Sequence, residues 1–373
     1  MSSTCDRLLA LLLSGLCLLA GGCSYPGAGV QRGPALKSVY GHSFDVGVAI
    51  PGRGLTPKEQ ALIVREFTAV TPENCMKPTI HRSEKDYSFS ESDALVAFAA
   101  RHGLKVNAHT LIWHEHCPAW FFEDNGMPAG RDLCLARMRS HIATMVGRYR
   151  GRVFSHDVVN EALSPDDAEY LRPNQWLAAI GPDYVVEAFR AAAQADSGAR
   201  LLYNDYGIES PVKRAKAVRL IREIRAAGVP VHGIGIQGHW ELDRVPFRDI
   251  EDSINAFHAE GLEVMITELD IDVVPRHFAS PGVSRRGKGA TGVVGPLSEV
   301  LTRQAEQYAR LFRIFEANAG KISRVTFWGL HDGRSWLNSW PQKRKNHPLL
   351  WDRKLRPKPA NAAVTSAGPP AAG

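Results

Sequence analysis

Short runs rich in Val and Ile alternate along this chain with longer stretches in which apolar residues recur at helical spacing, and a polar tip separates the two each time. A strand that leads into a helical crossover returns to pair in parallel, so the alternation predicts parallel strands covered by helices. Eight runs fit the strand pattern: Phe44–Ile50, Ala69–Pro72, Lys105–Thr110, Phe154–Asn160, Arg200–Asn204, His232–Gln237, Glu263–Glu268 and Arg324–Gly329. Between them, Ser90 is placed to cap a helix over Ser92–His102 and Pro182 falls at a first-turn position. Glu299–Asn318 is long and amphipathic, with Gly320 behind it. No linker interrupts the series, which predicts an α/β protein built as a single (β/α)8 TIM barrel. A doubly wound open sheet would carry a Gly-rich phosphate turn after its first strand, and none is present.

The unusual polar residues collect at the C-terminal tips of these strands: Glu73-Asn74, His109, Asn160-Glu161, Asn204-Asp205-Tyr206, Gln237-Gly238-His239, Glu268 and Trp328. In a barrel, that face is where the strand-to-helix loops build an active site. Glu161 and Glu268 each end a β-branched strand in a carboxylate. Cleaving a glycosidic bond takes one carboxylic acid to protonate the leaving oxygen and a second carboxylate to attack the carbon or activate water. A lone glutamate at a strand tip is as readily a surface ion-pair partner. Two such tips beside aromatic residues point to acid/base work.

Composition narrows the field. The 373 residues are 44% hydrophobic and 23% charged, the ordinary mixture of a soluble globular protein. The net charge of +6 comes from Lys and Arg scattered among Asp and Glu, which reads as a solvated surface and not as a nucleic-acid face. Leu8 to Ala20 is almost wholly apolar, too short to span a membrane at ~20 residues but suited to an export signal. Leu19-Ala20-Gly21-Gly22-Cys23 resembles a bacterial lipobox, in which Cys23 is acylated, and that lipid would be the sole membrane attachment. Ordinary signal cleavage and secretion stand as the alternative. The expected organisation is a signal over 1–23, a linker over 24–40, the barrel over 41–360 and a disordered tail over 361–373, where Pro, Ala and Gly bury too little to fold. Cys75, Cys117 and Cys134 remain in the body, an odd number without zinc-ribbon spacing, so neither a metal nor a disulfide scaffold is expected. His109, His114, His116 and His239 keep a metal-dependent barrel hydrolase as a rival, but that reading leaves both glutamates without a role.

A family resemblance rests on motifs taken in order: Thr71-Pro72-Glu73-Asn74 with Met76-Lys77, His109-Thr110-Leu111-Ile112-Trp113-His114, Asp157-Val158-Val159-Asn160-Glu161, Asn204-Asp205-Tyr206, Gly235-Ile236-Gln237-Gly238-His239, Ile266-Thr267-Glu268-Leu269-Asp270, and Thr326-Phe327-Trp328-Gly329-Leu330 through Ser335-Trp336-Leu337-Asn338. From Phe44 to Pro359 the chain resembles the glycoside hydrolase family 10 endo-1,4-β-xylanases. The resemblance implies a retaining double displacement with Glu268 as nucleophile and Glu161 as acid and then base. It implies that Asn160 bonds the 2-hydroxyl of the attacked sugar, and that His239, oriented by Asp270, holds Glu268 ionised. Glu73, Asn74, Lys77, His109, Trp113 and Gln237 would contact the sugars upstream of the cut, and Tyr206 those downstream. Trp328 and Trp336 would offer flat faces to pyranose rings. No cofactor or metal is implied, the partner is xylan or xylo-oligosaccharides, and a monomer is expected. His156, Cys75, Pro78, Asn107-Ala108, His116 and Gly207 depart from the usual family wording, and the Gly- and Arg-bearing stretch 279–296 is expected to form a loop over the downstream side. An exo-acting or oligosaccharide-specific β-glycosidase, and a sugar-binding protein without turnover, are the alternatives.

Overall fold

In the computed structural model, residues 33–276 and 290–368 are described. Eight parallel strands run in chain order around a closed barrel: β1 (Asp45–Ile50), β2 (Ala69–Pro72), β3 (Lys105–Trp113), β4 (Ser155–Asn160), β5 (Arg200–Asp205), β6 (Gly233–Ile236), β7 (Glu263–Asp272) and β8 (Ile322–Phe327). Each pairs with the next, β6 joins β7 from Gly233 opposite Glu263 to Ile236 opposite Ile266, and β8 closes on β1 with Phe327 opposite Val48. The strands are buried nearly end to end, as expected of a parallel sheet with helices outside and packed side chains within.

The strand interiors predicted from sequence are found, but two strands run longer. β3 continues to Trp113 through Leu111 and Ile112, and β7 to Asp272 through Asp270, and all of these residues stay buried. A polar layer fills the barrel beneath the mouth. Asp157 Oδ2 accepts from Asn107 Nδ2 at 3.1 Å and contacts His109 Nδ1 at 2.9 Å.

The helices show where local signals mislead. Ser90 lies inside its helix, which spans Ser90–Arg101 behind Phe89, so it caps nothing. Pro182 likewise precedes a helix that starts at Tyr184. The long amphipathic helix covers Leu297–Ala317.

Both ends of the expected domain need correction. Within the expected linker, Leu36–Tyr40 forms a short helix whose Leu36 and Tyr40 are fully buried. Tyr40 stacks on Phe44 at 5.2 Å and donates its hydroxyl to the carbonyl of Val364 at 2.6 Å. That carbonyl belongs to a final helix, Pro359–Ser366, which reaches into the expected tail and packs on Leu297–Ala317 with Ala360 and Val364 buried. A Pro- and Ala-rich segment is too weak to fold alone, but a first-turn Pro and two small apolar residues suffice once a helix face is waiting. The signal, Cys23 and 24–32 lie outside the described residues, as do 369–373 and 277–289, which take in 279–289 of the expected loop. No helix among the described residues is long and apolar enough to cross a membrane.

Candidate active site

The deep cleft at the C-terminal ends of the strands is lined by Glu73, Asn74, Lys77, His109, Trp113, Asn160, Glu161, Tyr206, Gln237, His239, Glu268, Trp328 and Trp336. Every residue expected to touch sugar is therefore in one place, and Asp270 supports it from behind. His116, Ser339 and Trp340 also face the cleft and were assigned no role in advance.

Glu268 sits inside the extended β7 and is only 4% exposed. Its Oε1 accepts from Asn204 Nδ2 at 2.7 Å, and its Oε2 lies 3.0 Å from His239 Nε2. On the other side of the imidazole, Nδ1 is 3.0 Å from Asp270 Oδ1, and Asp270 Oδ2 accepts from Trp336 Nε1 at 2.9 Å. Burial works against charge on His239, but Asp270 and Glu268 outweigh it and push the imidazole up to about 10. Burial would also raise Glu268, yet the His239 hydrogen bond, the electrostatic effects of His109 and His239, and the Asn204 amide bring it below the usual carboxylate range. The result is an ionised carboxylate beside an imidazolium.

Glu161 is mounted differently. It follows the last residue of β4 with φ +58, the left-handed region that side chains other than glycine seldom adopt, so its side chain is aimed by backbone strain held from outside. Its N–H donates to Asn204 O at 2.9 Å and its C=O accepts from Arg172 Nε at 3.2 Å.

A chain of amides joins the two carboxylates. Thr267 Oγ1 donates to Asn204 Oδ1 at 2.6 Å, which fixes that amide so that its nitrogen donates to both Glu268 and Asn160 Oδ1, the latter at 2.9 Å. Gln237 Nε2 then donates to Glu161 Oε1 at 2.9 Å and to Asn160 Oδ1 at 3.3 Å. The crossing of Asn204 needs Gly235: a Cβ there would collide with Asn204 Oδ1 and come within 2.6 Å of Thr267 Cγ2. Asn204 was visible in sequence as part of a strand-tip motif, but nothing there revealed that it bridges to Glu268.

Upstream, Lys77 Nζ donates to Asn74 Oδ1 at 3.0 Å and lies 5.0 Å from the Trp113 ring centre. Burial lowers Lys77 and raises Glu73, each against the pull of the other. His109 is 2% exposed and bonded to Asp157, and it packs edge-on against Trp328 at 5.1 Å. Trp336 and Trp340 continue the aromatic wall at 5.0 Å between ring centres. Cys75, Cys117 and Cys134 are free thiols. Among the described residues no group of three or more His, Cys, Asp or Glu side chains is arranged to hold a metal ion.

A parallel barrel with two carboxylates facing one aromatic-walled cleft defines a glycosidase of the two-carboxylate kind. The chain belongs to glycosyl hydrolase family 10, whose family model matches residues 35–367. It is 40% identical over 329 residues to the beta-1,4-xylanase of Dictyoglomus thermophilum, covering 88% of this chain and 89% of that protein. It is 38% identical over 328 residues to endo-1,4-beta-xylanase B of Paenibacillus barcinonensis, covering 87% and 96%. The crystal structure of xylanase XynB from Paenibacillus barcinonensis, complexed with a conduramine derivative, superposes with a TM-score of 0.83 at 36% identity over 90% of this chain and 99% of that one.

Proposed function

We propose that this chain is a retaining endo-1,4-β-xylanase in which Glu268 attacks the anomeric carbon while Glu161 protonates the departing oxygen. The observation that carries the assignment is the contrast in mounting: one carboxylate buried and held ionised by an imidazolium, the other partly exposed and linked to it by amides. The ionised Glu268 displaces the leaving sugar to form a covalent glycosyl-enzyme, and Glu161, having given up its proton, takes one from the water that releases the product. Asn160 offers the second N–H of its Nδ2 to the 2-hydroxyl of the attacked sugar, since its Oδ1 is already used by Asn204 and Gln237 and its other N–H points to Glu161 Oε1 at 3.3 Å. Glu73, Asn74, Lys77, His109, Trp113 and Gln237 hold the upstream sugars, Tyr206 the downstream one, and Trp328 and Trp336 supply flat faces.

A 2-deoxy-2-fluoro xylobioside with an activated leaving group tests the roles. Mass spectrometry is expected to find one sugar adduct on the peptide holding Glu268. An adduct elsewhere, or none with turnover intact, sinks the assignment. The apolar leader and the lipobox-like run before Cys23 support export with a lipid on Cys23. Cys23→Ser is expected to release the protein from the membrane fraction; wild type found outside that fraction would leave plain secretion as the better account.

A further inference from the structure

Arg172 stands on the segment after β4 and touches both sides of the leaving-group end of the cleft. Its Nε donates to the carbonyl of Glu161 at 3.2 Å, and its Nη2 donates to Tyr206 Oη at 2.6 Å. Its own position is fixed, because its N–H donates to Ala162 O at 2.8 Å and its C=O accepts from Asn174 Nδ2 at 2.9 Å. Tyr206 is gripped from a second direction by Lys213, whose Nζ lies 4.0 Å from the ring centre and donates to Tyr206 O at 2.6 Å. Burial would lower Arg172, yet the Tyr206 oxygen it bonds and the charge of Glu161 hold it above the usual range.

Two consequences follow from the fork of one guanidinium. The backbone of Glu161 is strained, and outside the cleft its carbonyl is held by Arg172, so the aim of the side chain depends on that bond. Because Arg172 donates to Tyr206 Oη, the tyrosine proton points away from Arg172 and is available to an acceptor in the cleft. Burial pushes that hydroxyl up to about 12, and the charge of Glu161 adds to it, so the proton stays in place.

We propose that Arg172 is a positioning residue that locks Glu161 and Tyr206 into one unit, so that protonation of the departing sugar depends on it. The proposal rests on Glu161 being the acid. Acid assistance matters for a poor leaving group and little for a good one. Wild type, Arg172→Met, Arg172→Lys and Glu161→Ala are compared by kcat/KM on phenyl and on 2,4-dinitrophenyl β-xylobioside. The ratio between the two substrates does not depend on how much of a variant is folded. Arg172→Met is expected to lose about 10 to 100-fold on the phenyl substrate but less than about threefold on the dinitrophenyl one, with Arg172→Lys between it and wild type. An equal loss on both substrates, or no loss on either, overturns the proposal while leaving Glu161 as the acid. If Glu161→Ala itself lacks the split, the acid assignment falls and this inference falls with it. Should Arg172→Met give no folded protein, the same ratio measured on Arg172→Lys decides, and an unchanged ratio overturns the role.

Discussion

The walls that carry the two glutamates differ in construction. Glu268 lies within a strand that continues four residues beyond it, is nearly inaccessible, and has both carboxylate oxygens engaged. Glu161 lies just past a strand end, is partly exposed, and owes its direction to a left-handed backbone held by Asn204 and Arg172. The difference follows from the work. A nucleophile must be charged and in place, so burial beside an imidazolium serves it. A group that gives up a proton and takes one back must reach leaving group and water, so it cannot be sealed.

The sharpest way to break this contrast is to remove each carboxylate. Glu268→Ala is expected to lower kcat/KM by about 10⁴-fold or more for every substrate, the scale set by loss of a nucleophile, with sugar affinity kept. Glu161→Ala is expected to cost about 10² to 10⁴-fold on poor leaving groups and little on good ones. Steady-state kinetics on aryl xylobiosides of graded leaving-group ability read both. If the two variants show the same dependence on leaving group, the walls do not divide the labour as described.

His239→Asn tests the charged wall next. It leaves Glu268 and Asp270 as buried carboxylates without their shared cation, a loss expected to cost about 3 to 5 kcal/mol of stability. The sign with pH is set by the direction of the shift. His239 is raised from 6.5 to about 10, so its contribution is complete below pH 6.5, declines as pH rises and is gone above about 10. Denaturant midpoints of wild type and variant should therefore converge between pH 6.5 and 10. A gap that stays constant to pH 10 would mean that the imidazolium does not support this wall.

How much of this was legible in the chain depends on the range of the forces involved. Barrel strands announce themselves because a strand buried on both faces must be apolar throughout, and the tips stand out because polar residues interrupt those runs. Glu161 and Glu268 could be found that way. The helix Pro359–Ser366 could not, since its stability comes from Leu297–Ala317 and from Tyr40, 324 positions away from Val364. Nor could the backbone of Glu161, whose φ is imposed by partners from β5 and from Arg172. Ser90 misled for the converse reason: a local capping signal is worth about 1 kcal/mol, and the helix starts where packing of Ser92 and Leu95 places it.

Trp336→Phe gives the smallest effect and the finest discrimination. The ring keeps a flat face for sugar, but the N–H that donates to Asp270 Oδ2 at 2.9 Å is lost. Asp270 holds His239, and His239 holds Glu268, so the change reaches the reaction through the nucleophile alone. A hydrogen bond to a carboxylate at this remove from the reacting atoms is expected to cost about 1 kcal/mol, roughly fivefold in kcat/KM. The loss should be uniform across leaving groups, because nothing in this relay touches Glu161 or Tyr206. It should also be smaller for Trp336→Phe than for His239→Asn, since the imidazole and its charge remain. A fivefold loss confined to poor leaving groups would show that Trp336 serves proton delivery, and the two walls would then have to be treated as one.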